Sequence, residues 1–247
     1  MSYLLAILTI LAVLAPVGAA CRWLMDNARE DVPTGLATLL GKFLANVIHR
    51  CRVEGRENIP ASRRPGPLIV VVNHTAGIDP VLVQVVCPFF VRWIMANRMR
   101  LPQFEGLWNF LDIIGIDQES RDAAAIRASL RVLSEGGVLG IFPEGGIERP
   151  PEQLLPFAPG VGLLVSRGGA RVLPVVIDGT PVAPTAWGSL FRPSRARVRF
   201  FPVIDYPAMK MSAGEIVKDL QARYQAWTGW PVNSRQAPRA ATPASAS

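Results

Sequence analysis

The chain has 247 residues, enough to bury one sizeable core with little left for a second domain. Half of its residues are hydrophobic, its mean hydropathy is +0.27 and its net charge is +7, with Arg far outnumbering Lys. Such an excess of base calls for an anionic partner, and the absence of zinc-finger spacing, RNA-binding aromatics and basic repeats sets nucleic acid aside in favour of an acidic membrane surface or a phosphorylated substrate.

The first element is apolar. Met1 to Cys21 carries no charged side chain. About 20 such residues suffice to cross a bilayer, so residues 1–25 are expected to form a membrane-embedded helix. Pro16 and Gly18 leave two dispositions open, a kinked span or a helix lying shallowly in one leaflet. A cleaved signal peptide is the rival reading, but no Lys or Arg precedes the run and Gly18-Ala19-Ala20-Cys21 is a poor lipoprotein site. Arg22 and Arg29 follow the run, so a spanning segment would leave the bulk of the chain on the cytoplasmic side of the cell membrane.

Residues 26–52 follow as an amphipathic helical segment, with the helix itself at about 34–50. Leu36, Leu39, Leu40, Phe43, Leu44, Val47 and Ile48 recur at spacings of three and four. The stripe could pack on the core, or lie on the membrane with Lys42, His49, Arg50 and Arg52 toward headgroups.

From residue 53 to 230 strands alternate with helices, which predicts an α/β domain with a largely parallel central sheet flanked by helices. The expected strands are 67–72, 89–95, 113–116, 138–142, 172–177 and 195–201. Helices are expected from Pro80, over about 121–135, and from a capping box at Ser212 and Glu215 to about Trp227. The alternation Arg195-Ala196-Arg197-Val198-Arg199-Phe200 predicts a strand with one wet face. Residues 231–247, rich in Pro, Ala, Ser and Thr, are expected to be a disordered tail. Cys21, Cys51 and Cys87 are odd in number and scattered, so they form no disulfide framework or metal cluster and fit a reducing compartment.

The run Leu68 to Val72 leads into Asn73-His74-Thr75-Ala76-Gly77-Ile78-Asp79-Pro80. Pro80 disfavours helical backbone at Asp79, so the helix is expected to begin only at Pro80. That puts His74 and Asp79 in one tight loop. On a continuous helix they would stand about 140° apart, whereas in a loop the carboxylate can curl back to the imidazole. A neutral imidazole held by a carboxylate through one nitrogen can take a hydroxyl proton with the other. The plainer role for Asp79 is an N-cap. Further on, Phe142-Pro143-Glu144-Gly145-Gly146 leaves a strand at the end where open α/β sheets place ligands. Gly145 and Gly146 would allow close backbone approach, and Glu144 could orient an acceptor or a basic partner.

Four segments in order resemble the glycerolipid acyltransferases typified by bacterial 1-acylglycerol-3-phosphate acyltransferase. Asn73-His74-Thr75-Ala76-Gly77-Ile78-Asp79 matches the first block, Gly115-Ile116-Asp117 resembles the second, Phe142-Pro143-Glu144-Gly145 matches the third, and Leu173 to Gly179 the fourth. Val53 to Pro60 looks like the family's lead-in, so the resemblance covers about residues 50–205. It implies transfer of a fatty acyl group from an acyl thioester, acyl-CoA or acyl carrier protein, to the free hydroxyl of 1-acylglycerol-3-phosphate, forming phosphatidate in phospholipid biosynthesis. His74 would be the general base and Asp79 its orienting partner. No Ser or Cys nucleophile accompanies the pair, so direct transfer is expected, and no metal or cofactor is called for. Membrane lipids are the expected partners.

The departures from the family pattern concern base. The third block usually continues Glu-Gly-Thr-Arg, and here it reads Glu144-Gly145-Gly146-Ile147 with Arg149 two positions late. The second block usually has Arg directly after its Asp, and here Arg121 comes three residues later. A usual Lys appears as Ala158. Arg121 and Arg149, or Arg98, could bind the acceptor phosphate from shifted loops. Otherwise the acceptor is another lysophospholipid or hydroxyl lipid, or the chain is a non-catalytic membrane-binding protein with the fold retained.

Overall fold

The computed structural model describes residues 2–117, 122–147 and 150–233. The uncharged N-terminal run forms α1 (Ser2–Leu24), which continues through Pro16. At 1.5 Å per residue it is about 34 Å long, enough for a hydrocarbon core of about 30 Å. None of its most apolar stretch is buried in the protein. Asp31 then caps α2 (Val32–Phe43) by accepting the Thr34 N–H, with Pro33 in the first turn.

The segment expected as one helix changes geometry at Leu44–Ile48, a single π-helical turn. That turn divides the stripe. Leu44 and Ala45 reach the core, while Leu36, Leu39, Leu40, Phe43 and Val47 remain 38–59% exposed. His49, expected among the headgroup-facing residues, is instead fully buried, with Nδ1 at 2.9 Å from Ser194 Oγ and Nε2 at 2.9 Å from the Leu190 carbonyl. Two partners satisfy both ring nitrogens, which removes the cost of burying a polar ring.

The remaining elements build the sheet and its covers. In chain order they are β1 (Arg52–Glu54), β2 (Leu68–Val72), α3 (Asp79–Gln84), β3 (Val91–Ala96), α4 (Glu105–Phe110), β4 (Ile114–Ile116), α5 (Ala123–Ser134), β5 (Val138–Ile141), α6 (Pro159–Gly168), β6 (Arg171–Asp178), β7 (Arg197–Phe200), α7 (Tyr206–Met209) and α8 (Ala213–Thr228). The sheet order is β1-β7-β6-β2-β5-β3-β4. Every pairing is parallel except β6 with β7. β4, within the strand expected at 113–116, lies at the sheet edge and is half-buried.

β2 stands in the middle of the order, and all five of its side chains have zero exposure. A strand covered on both faces explains the unbroken apolar run where a half-buried strand would alternate. Leu68, Val70 and Val72 pack with Ile78, Leu82 and Val83 of the α3 region. Ile69 and Val71 pack against Leu164 and Val165 of α6 and Leu220 and Tyr224 of α8. The predicted capping box is present, Ser212 and Glu215 closing the first turn of α8.

Three boundaries move. α3 begins at Asp79, one residue before Pro80, for a reason that lies in the Asp79 carboxylate described below. α6 has no counterpart among the expected helices, although Pro159 at its start and Gly169 in left-handed backbone (φ 56°) at its end are the usual markers. Residues 231–233, expected to belong to a disordered tail, are tied to the domain: the Leu154 N–H bonds the Pro231 carbonyl and the Asn233 N–H bonds the Leu154 carbonyl. Residues 234–247 lie outside the described residues.

One side chain completes the sheet at a defect. Pro174 of β6 sits opposite Val71 and has no N–H to give. The fully buried Tyr224 hydroxyl donates to the Val71 carbonyl (2.6 Å) and accepts the Val175 N–H (3.1 Å). Tyr224→Phe is expected to lower stability by about 1–3 kcal/mol, the cost of stranding buried backbone groups. Chemical denaturation of the detergent-solubilised chain measures it.

Candidate active site

The carboxyl end of β2 is held by Asn73 after the strand proper has ended. Its amide donates to the Ile177 carbonyl (2.9 Å) and its oxygen accepts the Ile177 N–H (2.7 Å). A side chain thus extends the pairing with β6 by one step and frees the backbone to turn. His74 is the next residue.

Asp79 is fully buried, and its carboxylate is the hub of the turn. Oδ2 accepts the N–H of Thr75 (2.7 Å) and of Ala76 (2.9 Å), and lies 3.0 Å from His74 Nδ1. Oδ1 accepts the Thr75 hydroxyl at 3.2 Å. These bonds run backward to the loop. Ile78 is the N-cap residue of α3 and makes no side-chain cap bond, so the capping role expected of Asp79 is replaced by loop closure. The same bonds offset the pre-proline restriction and let Asp79 enter the first helical turn.

A carboxylate oxygen can only accept, so Nδ1 carries the imidazole proton and Nε2 presents its lone pair. Nε2 has no hydrogen-bond partner among the described residues. The His74 side chain is 19% exposed. Its ring stacks on Phe142 at 4.0 Å between centroids, and Phe142 stacks on Trp93 at 5.1 Å. Trp93 lies flat where a Cβ on Gly140 would come within 2.4 Å of it, so β5 needs glycine there. The stack fixes the plane of the imidazole from one side as Asp79 fixes its tautomer from the other.

Glu144 sits below this loop and does not face outward. It is 6% exposed, its Oε1 accepts the His74 N–H (2.9 Å) and its Oε2 accepts the Leu155 N–H (2.9 Å). The expected role of orienting an acceptor gives way to a brace between the loops after β2 and β5. Gly145 makes the turn that positions it, with φ 69° and its N–H on the Phe142 carbonyl. Gly146 is half-buried beside it. Asp117 of the second block follows β4 at the sheet edge, three strands from β2. Arg121 and Arg149 lie outside the described residues. Arg98 is exposed in a short turn after β3.

Sequence reasoning did not single out Phe142, Trp93 or Thr180. The Thr180 hydroxyl donates to the Thr75 hydroxyl at 2.8 Å, tying the loop after β6 to the His74 loop. Phe142 lay within a recognised block, but nothing in a sequence pairs it with Trp93, 49 positions away.

The acyltransferase family model matches residues 50–178. This chain belongs to the acyltransferase family. It is similar to the 1-acyl-sn-glycerol-3-phosphate acyltransferase of Borreliella burgdorferi, 30% identical over 132 residues that make up 52% of this chain and 51% of that protein. It is also similar to the enzyme of the same name from Bacillus subtilis, 24% identical over 170 residues, 64% of this chain and 78% of that one. The alignment thus spans about half the length of the Borreliella relative. The crystal structure of the 1-acyl-sn-glycerophosphate (LPA) acyltransferase PlsC from Thermotoga maritima has the same fold, with a TM-score of 0.65, 23% identity and 81% of each chain covered. His74, Asp79 and Glu144 fall inside the acyltransferase match, whereas β7 and α8 lie beyond it.

Glu144→Gln keeps one acceptor oxygen and turns an amide toward the other backbone N–H. It is expected to cost about 1–3 kcal/mol, read as a lowered melting temperature of the solubilised chain.

Proposed function

We propose that this chain is an O-acyltransferase that moves a fatty acyl group from acyl-CoA or acyl carrier protein to the free hydroxyl of 1-acylglycerol-3-phosphate, forming phosphatidate. The observation that carries the proposal is the fully buried Asp79 holding His74 Nδ1, with Nε2 left open at the carboxyl end of β2. Nε2 takes the proton of the acceptor hydroxyl as its oxygen attacks the thioester carbonyl. The resulting imidazolium is stabilised by Asp79. Collapse of the tetrahedral intermediate breaks the carbon–sulfur bond, and the imidazolium returns the proton to the departing thiolate. Products are the new ester and the free thiol.

Direct transfer fits the cysteines. Burial pushes the Cys51 thiol up to about 11, against a smaller opposing pull from Arg56, and the Cys87 thiol up to about 12. Neither is a thiolate at neutral pH, so neither is a nucleophile for an acyl-enzyme.

Membrane attachment belongs to the same reading. α1 is long and apolar enough to span, and the exposed apolar residues of α2 would lie along the surface. Arg22 and Arg29, which follow an apolar run with no base before it, support a catalytic domain on the cytoplasmic side. A second acceptor is favoured by one observation: Gly146-Ile147 and Ala158 stand where the family pattern has basic or hydroxyl residues. The same chemistry on another lysophospholipid is that reading.

An acceptor panel with the purified full chain and labelled acyl thioester, read by mass spectrometry, tests the proposal. Phosphatidate formation from lysophosphatidate is expected. His74→Ala is expected to lower turnover about 10²–10⁴-fold with an unchanged melting temperature, and near-normal turnover by the folded variant would reject the base. Deleting residues 2–24 is expected to convert an integral protein into one that washes off membranes in carbonate but still floats partly with anionic vesicles. Flotation and extraction of both forms measure this.

A further inference from the structure

The loop that carries His74 has two unlike sides. The imidazole ring stacks on Phe142, which stacks in turn on Trp93, while Thr75 lines a cleft of about 390 Å³ whose walls include Asp178, Thr180, Arg197, Arg199 and Trp230. The volume suits a small polar headgroup. The cleft lies at the carboxyl edge of β6, where the antiparallel pairing of β7 sets Arg197 opposite Asp178 and Arg199 opposite Val176.

The two guanidinium groups are held differently. Arg197 spends its fork on Asp178, with Nε at 3.2 Å from both carboxylate oxygens and Nη2 at 3.1 Å. Arg199 donates one hydrogen bond, from Nη1 to the Trp227 carbonyl at 3.1 Å, and keeps a looser ion pair to Asp178 at 3.5 Å. Its Nε is buried with no partner among the described residues. A guanidinium carries five N–H donors, so most of those on Arg199 are unspent although its side chain is only 21% exposed. Two arginines share one carboxylate inside the cleft. The other acidic lining residue, Glu152, is exposed to solvent, where its charge is screened.

We infer that this cleft seats the phosphate of the acyl acceptor, with Arg199 as its main ligand and Arg197 as the second. The inference rests on the acyl-transfer reading and names the specificity-determining residues within it. A fixed, half-buried fork with unspent donors matches the two-point geometry of a phosphate monoester. Thr75 bonds Asp79 and borders the cleft, so a headgroup seated there is continuous with the catalytic loop. Both arginines lie outside the stretch matched by the family model, and they supply base that the Gly146-Ile147 and Ala158 positions lack.

Steady-state kinetics of the full chain, with lysophosphatidate and acyl-CoA varied separately, decide the matter. Arg199→Gln is expected to raise the lysophosphatidate KM about tenfold or more and leave the acyl-CoA KM in place. Arg199→Lys, which keeps the charge and loses the fork, and Arg197→Gln, at a half-exposed position, should each raise it by a smaller factor. These two variants keep the test open if Arg199→Gln does not fold. Unchanged lysophosphatidate KM values in folded Arg199→Lys and Arg197→Gln overturn the assignment. So does a rise confined to acyl-CoA, which would make the cleft a donor site, or a lysophosphatidate KM that moves only with Arg121→Ala or Arg149→Ala. Failure of the wild-type chain to acylate lysophosphatidate would instead defeat the reading of lysophosphatidate as acceptor, and failure with every lysophospholipid of the panel the acyl-transfer reading itself.

Discussion

The site depends on one buried carboxylate. Asp79 has no contact with solvent and is surrounded by donors: two backbone N–H groups, a hydroxyl and the imidazole N–H. An unpaired charge at such a depth would cost several kcal/mol, and the loop folds so that it is paired. The conformation of residues 74–76 is therefore dictated by what Asp79 needs, and the tautomer of His74 follows from it. Glu144 repeats the device one strand away, a second buried carboxylate that holds backbone N–H groups from two loops. Two acidic groups act as anchors for backbone, and Asp79 also holds the imidazole.

Around that core the two faces of the sheet have divided the work. On the α3 face the stack of Trp93, Phe142 and His74 is apolar and rigid. On the α8 face the reversed strand β7 turns its arginines toward the edge where the other strands end. A single antiparallel pairing, β6 with β7, is what allows residues near position 198 to border a loop made at position 75.

The sequence carried the parts of this that depend on local pattern. The buried strand β2, the helix α5 and the capping box of α8 are legible because run length, periodicity and capping chemistry are local. The His74 and Asp79 pair is legible because Pro80 confines both to one turn. The direction of the Asp79 bonds was not, since a carboxylate before a helix can close onto either the helix or the loop. His49 reads as a surface residue in its own neighbourhood, and it is buried only because Leu190 and Ser194, more than 140 positions away, satisfy its ring. The wet face of β7 was legible as polar, but whether that polarity met bulk water or a cleft depended on α8 and the loop after β6.

The turn at Leu44–Ile48 has a mechanical meaning. α2 rests on α3, with Gly41 so close to Val85 that a Cβ there would come within 2.6 Å. Beyond the turn, backbone bonds from Ser194 to Ile48, from Ala196 to His49 and from Arg52 to Ala196 zip the chain to the approach of β7. The segment that leads out of the apolar helix is thus bolted to the helix that begins at Asp79 on one side and to the strand bearing Arg197 and Arg199 on the other. It cannot act as a slack tether. Whatever plane the exposed leucines of α2 occupy, the imidazole stands at a set height above it, and that height is a fixed dimension of the fold.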